Sequence, residues 1–412
     1  MDELLYLVHR IPYPPNKGDK IRSFHLLKHL AQSYKVHVGA FVDDPDDWQY
    51  AEALAKLAGG EIKLLPLNPR IATLKSAIGL LTGEPLSVPY YRDRRMQAWV
   101  DAMLATKPIA RALVYSSSMA QYLMQHHTVQ RVIDFVDIDS DKWRQYAEKK
   151  SWPMSWVYRR EAHTLFDYER RVTHEFTAAA FVSEAEAALF KKLAPDCADK
   201  VFGFSNGVDT DYFSPDLMFA SPFPADERAI VFTGAMDYWA NIDAVTWFAR
   251  EVFPGIKRAH PAANFYIVGS RPTTEVQALA HESGVRVTGA VPDTRPYIAH
   301  ATVAVAPLRI ARGIQNKVLE AMAMAKPTVV SEQALEGIEA TPGKEILLAS
   351  DAAAFVDQVN RAIVGQVPEM GVAARQRVVN DYSWPRHLRI VEQLLRGSAP
   401  TPMDANAHAH AA

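Results

Sequence analysis

Lys317 and Glu320 place a cation and a carboxylate three residues apart, a spacing that brings both onto one face of a helix. A ligand bearing both phosphates and hydroxyl groups could lie along that face, its charge against Lys317 and its hydroxyls against Glu320. Just upstream, Gly313 would let the backbone approach an anion closely, and the free N–H groups of a helix start would point at it. Arg309 and Arg312 add positive charge to the same stretch, Pro307-Leu-Arg-Ile-Ala-Arg-Gly-Ile-Gln-Asn-Lys-Val-Leu-Glu-Ala-Met-Ala-Met-Ala-Lys-Pro327. On this local pattern a second reading stands beside the first: an exposed Lys-Glu pair on an ordinary strand-turn-helix unit, common in α/β proteins.

To hold these groups the chain must supply a strand, a turn and a helix in that order. Thr302 to Pro307 has the apolar, β-branched character of a buried parallel strand, and Val318 to Ala325 is strongly helix-forming. The same alternation runs through the chain. Glu3 to His9 reads as a strand, Arg10 to Lys20 as a proline-rich loop in which Asn16, Gly18 and Asp19 supply turn and cap chemistry, and Ile21 to Gln32 as a helix. Further strands are expected at Lys35–Val42, Glu61–Pro66, Ala112–Tyr115, Arg131–Val136 and Ala178–Val182, with helices over Pro45–Ala58, Trp152–Glu175 and Glu184–Leu193, the last capped by Ser183.

A loose stretch with Pro215, Pro222 and Pro224 marks the best domain boundary. The alternation then restarts at Ala229–Gly234, with a helix over Ile242–Lys257, a strand at Asn264–Gly269, a helix from Glu275 and a strand at Val285–Thr288. Alternating strands and helices predict parallel sheets, and loops at the carboxyl edges of such sheets are where ligands bind. The expected division is a first domain over 1–205, a second over 206–383, a closing helix over 384–397, and a Pro/Ala/His tail over 398–412 expected to be disordered. Ile71 to Leu81 is apolar with Arg70 and Lys75 nearby, and two readings stay open for it: a helix lying on a membrane surface, or one that covers the sheet.

Asp137-Ile-Asp-Ser-Asp141, with Glu148, imitates calcium-loop spacing, but Lys142 stands where such a loop requires glycine and a strand precedes it, so the calcium reading fails. A solvated acidic turn and a ligand-facing loop both remain, with Asp137 directly after a strand end. His25 and His29 are four apart on a helix but have no third ligand, so no metal site is expected. No Walker loop, G-x-S-x-G or G-x-G-x-x-G is present, which disfavours nucleotide hydrolases, serine hydrolases and dinucleotide oxidoreductases.

With 45 basic and 47 acidic side chains the net charge is −2, so no global field would attract nucleic acid. The single cysteine, Cys197, cannot form an internal disulfide, and no leader-like segment precedes the first strand, so the cytosol is the expected compartment. No apolar run reaches the roughly 18–20 residues needed to span a bilayer, so any membrane contact would be peripheral, at the inner face.

Taken together, several stretches resemble the retaining GT-B glycosyltransferases of family 4, glycosyl transferases group 1. The strongest is Gly313 to Val330, similar to that family's glycine loop, K-x-x-E-A-M-A helix and following strand. Beside it stand Ser205-Asn-Gly-Val-Asp209, Phe232 to Asp243, Ile267-Val-Gly269 and Gly289-Ala-Val-Pro-Asp293. Asp134 to Ala147, Tyr168-Glu-Arg170 and Phe181-Val-Ser-Glu184 look most like the sugar transferases of exosortase A/PEP-CTERM exopolysaccharide clusters.

The resemblance implies a GT-B α/β fold: two Rossmann-like parallel-sheet domains facing a central cleft, with a nucleotide diphosphate-sugar donor on the second and a glycan or lipid-linked acceptor mainly on the first. Lys317 would contact the donor diphosphate, Glu320 the ribose hydroxyls, and Gly313 the phosphate through its backbone; Gly234, Arg271, Val291 and Arg309 are the further donor-side candidates. Neither a metal nor another cofactor is implied, since lysine, arginine and helix N–H groups neutralise the leaving diphosphate. Gly18 and Asp19 match the family's first-domain glycine loop, and Asp137 sits where acceptor contacts arise. Asp19, Asp137 and Lys317 are the catalytic candidates, although in retaining members the leaving phosphate itself is held to help deprotonate the acceptor. One departure is Arg312, where the family pattern has glutamate. It leaves donor choice open and offers a phosphate contact instead. A nucleotide-sugar epimerase of the same fold and a non-catalytic two-domain sugar-binding protein are the alternatives.

Overall fold

The run Leu4-Leu-Tyr-Leu-Val8 is fully buried on both faces, which only a strand covered by helices on either side achieves. It is the middle of β1 (Asp2–Val8) in a computed structural model that describes residues 1–15, 18–148, 151–311 and 314–398, apart from the side chains of 18, 19 and 81. The tail expected to be disordered therefore lies, from 399 onward, outside the described residues.

The chain divides into two compact units, 1–206 with 387–412, and 207–386. In the first, β2 (Tyr34–Val42), β3 (Gly59–Pro66), β4 (Ile109–Tyr115), β5 (Gln130–Val136), β6 (Ala178–Phe181) and β7 (Val201–Gly203) join β1 in a seven-stranded sheet of order β3-β2-β1-β4-β5-β6-β7, with every pair parallel. Register aligns the strand ends: Val8 pairs with Tyr115, Tyr115 with Asp134, and Val136 with Phe181. His9, Ser116, Asp137 and Val182 therefore emerge together at the carboxyl edge.

In the second unit β8 (Arg228–Thr233), β9 (Ala263–Val268), β10 (Val285–Gly289), β11 (Val303–Ala306), β12 (Thr328–Val330) and β13 (Leu347–Leu348) form a six-stranded parallel sheet of order β10-β9-β8-β11-β12-β13. Thr233 pairs with Val268 and Val268 with Gly289, so Gly234, Gly269 and Ala290 come side by side at its carboxyl edge. Each unit has its own apolar core: one gathers Leu5, Ile133, Phe181 and Phe190, the other Phe232, Phe248, Phe265 and Val305.

Two helices depart from expectation. The segment expected as one helix over Ile242–Lys257 is helix Trp239–Trp247, a π turn Phe248–Val252 and helix Phe253–Ala259. Pro254 has no N–H to give to the preceding turn, so the hydrogen-bond ladder must shift there. The acidic run after β5 continues directly into helix Asp139–Glu148 rather than remaining a turn. Buried Glu169 organises that helix start, accepting from Ser140 Oγ at 2.6 Å and Ser140 N at 3.3 Å. Burial pushes its carboxyl up to about 8, against the lowering effect of the Ser140 contact.

Candidate functional site

Lys317 sits one residue into helix Asn316–Ala323, which follows β11. Gln315, at the N-cap position, gives no side-chain cap to the helix. The inner face of the helix, Val318, Leu319 and Met322, is buried in the core and fixes its rotation. That rotation turns Lys317 and Glu320 into a cavity of about 490 Å³ lined also by Thr233, Gly234, Ser270, Val291 and Asn241.

Buried Asn241 sets the lysine's position. Its Oδ1 accepts from Lys317 Nζ at 2.8 Å, while its Nδ2 donates to the Ala235 carbonyl at 2.8 Å. A Cβ on Gly234 would come within 2.7 Å of that Nδ2, and a Cβ on Gly269 within 1.7 Å of the Gly234 carbonyl oxygen. Both glycines are therefore steric requirements of the wall. Phe232 lies beneath the ammonium, its ring centroid 5.0 Å from Nζ.

Half-buried in this wall, both charged groups are displaced from their ordinary ionisation. Burial pulls the Lys317 ammonium down to about 8, against the attraction of Glu320, and burial pushes the Glu320 carboxyl up to about 7, against Lys317. An anion entering the cavity would favour the charged form of Lys317, and hydroxyl donors would favour ionised Glu320.

Of the other donor-side candidates, Gly234 and Val291 line the cavity. Arg309 and Arg271 do not. Arg309 Nε donates to Asp243 Oδ2 at 2.9 Å, and Arg271 Nε lies 3.0 Å from Asp237 Oδ2. Arg312 and Gly313 lie outside the described residues, so the structure says nothing of either expectation.

The first unit carries a second cavity, about 470 Å³, at its own carboxyl edge, lined by His9, Arg22, Ser116, Val136, Asp137 and Lys142 among others. Asp137 thus lines this cavity, with its Oδ2 2.7 Å from Lys142 Nζ. Arg22 is buried and its Nε pairs with equally buried Asp134 at 2.8 Å, while its Nη1 donates to Asn206 Oδ1 at 2.9 Å. Ser116 and Val136 both hold left-handed backbone, φ 81° and 73°, which costs a non-glycine residue of order 1–3 kcal/mol. Gly18 and Asp19 open helix Gly18–Leu30, but the Asp19 side chain is outside the described residues.

The family model of glycosyl transferases group 1 matches residues 227–364, a span that holds every lining residue of the Lys317 cavity except Phe213. The family match thus falls within the second unit. Solved structures extend the likeness over both units. Sucrose-phosphate synthase from Thermosynechococcus elongatus aligns at TM-score 0.59 and 17% identity over 96% of this chain and 98% of its own. Anabaena HepE in complex with UDP and glucose aligns at 0.59 and 14% over 96% and 99%, and a glycosyltransferase from Rickettsia africae at 0.60 and 12% over 96% and 99%. These likenesses give the fold, GT-B. No curated protein sequence matches the chain.

Within the second unit, sequence reasoning located Lys317, Glu320, Gly234 and Val291 but passed over Asn241. Its signal was present, since Asn241 stands in the Phe232–Asp243 stretch that carries part of the resemblance. In the first unit Arg22 and Ser116 also line the cavity without a signal in the sequence: Arg22 stands in the expected helix Ile21–Gln32 with nothing to set it apart, and nothing in a sequence marks a serine for positive φ. Among the described residues the one grouping of three potential metal ligands is His174, Asp196 and Cys197, which lines neither cavity, and Asp196 is bound by Arg170 at 2.7 Å.

Proposed function

We propose that this chain is a retaining glycosyltransferase that moves a hexose from a nucleotide diphosphate-sugar to a glycan or lipid-linked acceptor in exopolysaccharide biosynthesis. The observation that carries the proposal is the pairing of Lys317 and Glu320 in a cavity whose glycine wall leaves room for a ligand. Lys317 stabilises the negative charge that develops on the leaving diphosphate, and Glu320 accepts hydrogen bonds from ribose hydroxyls. The HepE structure, solved with UDP and glucose, supports the same class of donor here.

In the reaction the acceptor oxygen bonds to the anomeric carbon as the bond from that carbon to the β-phosphate oxygen breaks. The electron pair leaves with the nucleoside diphosphate, whose phosphate oxygen takes the acceptor proton. No metal is required in this scheme. The first-unit cavity, with Asp137, receives the acceptor, and Asp19 is a further candidate for ligand contact in the same unit. The enzyme works in the cytoplasm with peripheral contact at the inner face of the membrane.

Thermal unfolding with UDP-, GDP- and ADP-sugars tests the reading. A ligand at 100 times its Kd adds about 2.7 kcal/mol to stability, several degrees in Tm. At least one of the panel should shift the transition, and no shift with any of them would exclude the transferase.

A further inference from the structure

Helices Pro69–Ser76 and Ile78–Thr82 are built inside out. The residues they turn inward are small, Ala72, Ser76 and Gly79, while Ile71, Leu74 and Ile78 point to solvent at 54%, 78% and 54% exposure. The close approach is fixed at Gly79, where a Cβ would lie 2.9 Å from the Glu84 carbonyl oxygen. A helix whose task was to cover the sheet would place its large side chains underneath. Here the stripe 71, 74, 78 follows helical spacing and faces outward.

A second exposed apolar group lies beside it. Arg160, in helix Met154–Glu175, donates to the carbonyls of Gly79 and Glu84, locking that helix against the 78–82 turn. Trp156 stands one turn earlier on the same face, and Trp152 lies in the turn just before the helix; they are 54% and 80% exposed. Trp156 therefore lies on the side of its helix that meets Gly79 and Glu84, next to exposed Leu80.

The charges at this face have one sign. Residues 69–82 contain Arg70 and Lys75 and no acid, and residues 151–160 contain Arg159 and Arg160 and no acid, in a chain of net charge −2. The neighbouring acids are taken up: Glu84 is bound by Arg92 at 2.7 Å, Asp93, which Lys75 also attracts, by Arg95 at 2.7 Å, and Glu161 is buried on the Leu86 and Ser87 N–H groups.

We infer that this face docks on the surface of an anionic lipid bilayer. Apolar side chains enter the acyl boundary, tryptophans sit at headgroup level, and Arg70, Lys75 and Arg159 meet lipid phosphates. No described helix is long and apolar enough to cross a membrane, so the contact is a surface one. The inference supplies the surface for the peripheral contact proposed above, but vesicle binding is measured without donor, so failure of either leaves the other standing.

The test is co-sedimentation of the full chain with phosphatidylcholine vesicles, alone or containing phosphatidylglycerol. The expected result is binding to the anionic vesicles that weakens with salt, is roughly tenfold poorer on neutral ones, and falls at least about tenfold for the double variant Leu74→Glu/Ile78→Glu. These positions are exposed, and an unchanged Tm verifies that the variant folds. A second variant, Trp156→Ala, should lose binding in part. Absence of sedimentation with anionic vesicles, or equal binding by the double variant, overturns the inference. So does a dimer in light scattering that the double variant dissociates, because the face would then belong to a second copy.

Discussion

Lys317 is the residue on which the chemistry turns, and its environment gives its role a pH signature. A diphosphate favours the charged ammonium, so binding takes up a proton above about pH 8, where the empty site holds the lysine neutral. Affinity for a nucleoside diphosphate should therefore fall as pH rises past 8, by up to about tenfold per unit. In Lys317→Arg, whose guanidinium stays charged, that fall should vanish. Glu320 has the opposite sign: ribose hydroxyls favour its ionised form, so affinity should also decline as pH drops below about 7. Calorimetric titration across pH 6 to 10 reads both limbs, and a flat profile in the wild type would remove the pair from the site. Asn241 acts through the lysine. Asn241→Ala removes its acceptor and leaves the Ala235 carbonyl without its partner, so it should cost about 1–3 kcal/mol of stability and weaken diphosphate binding, while nucleoside without phosphate is bound as before.

At the scale of elements, the sheet edges bring the sites together, and most of that was legible. Strands such as β1 and β8 are buried on both faces and carry the continuous apolar runs Leu4–Val8 and Ala229–Phe232, and residues just past the strand ends fall at the carboxyl edge. The helix start at Asp139 was not legible, because its organiser, Glu169, lies far along the chain and acts through space on Ser140. Nor could spacing reveal which face of 69–82 points outward; the apolar stripe is visible in the sequence, but only Arg160 and Gly79 settle its direction. Arg22 shows the same limit. Its meaning lies in Asp134 on β5, and breaking that buried pair with Arg22→Met should destabilise the first unit by about 3–5 kcal/mol, read as a lower urea midpoint. The double change Arg22→Met/Asp134→Asn should recover part of the loss; equal stability of the single variant and wild type would show that the pair does not hold the edge.

For the whole molecule, two parallel sheets with separate cores each carry a cavity at a carboxyl edge, and each cavity is lined by a lysine and a carboxylate three apart on one helix: Asp139 and Lys142 in the first unit form an ion pair at 3.2 Å, whereas Lys317 in the second donates to Asn241 while it and Glu320 both face the cavity. That asymmetry is why donor binding is assigned to the second unit, and the group 1 match over 227–364 falls on the same residues. With separate cores, a nucleotide-sugar should raise the thermal transition of the second unit more than that of the first, which scanning calorimetry can resolve if the two units unfold apart. The most direct measurement is isothermal titration of UDP, GDP and ADP into wild-type protein and Lys317→Ala at pH 7.5. At least one diphosphate should bind the wild type and lose tenfold or more in the variant, about 1.4 kcal/mol or above. Equal affinity in the two proteins, or no binding of any nucleotide to the wild type, would contradict the assignment of this cavity to the donor.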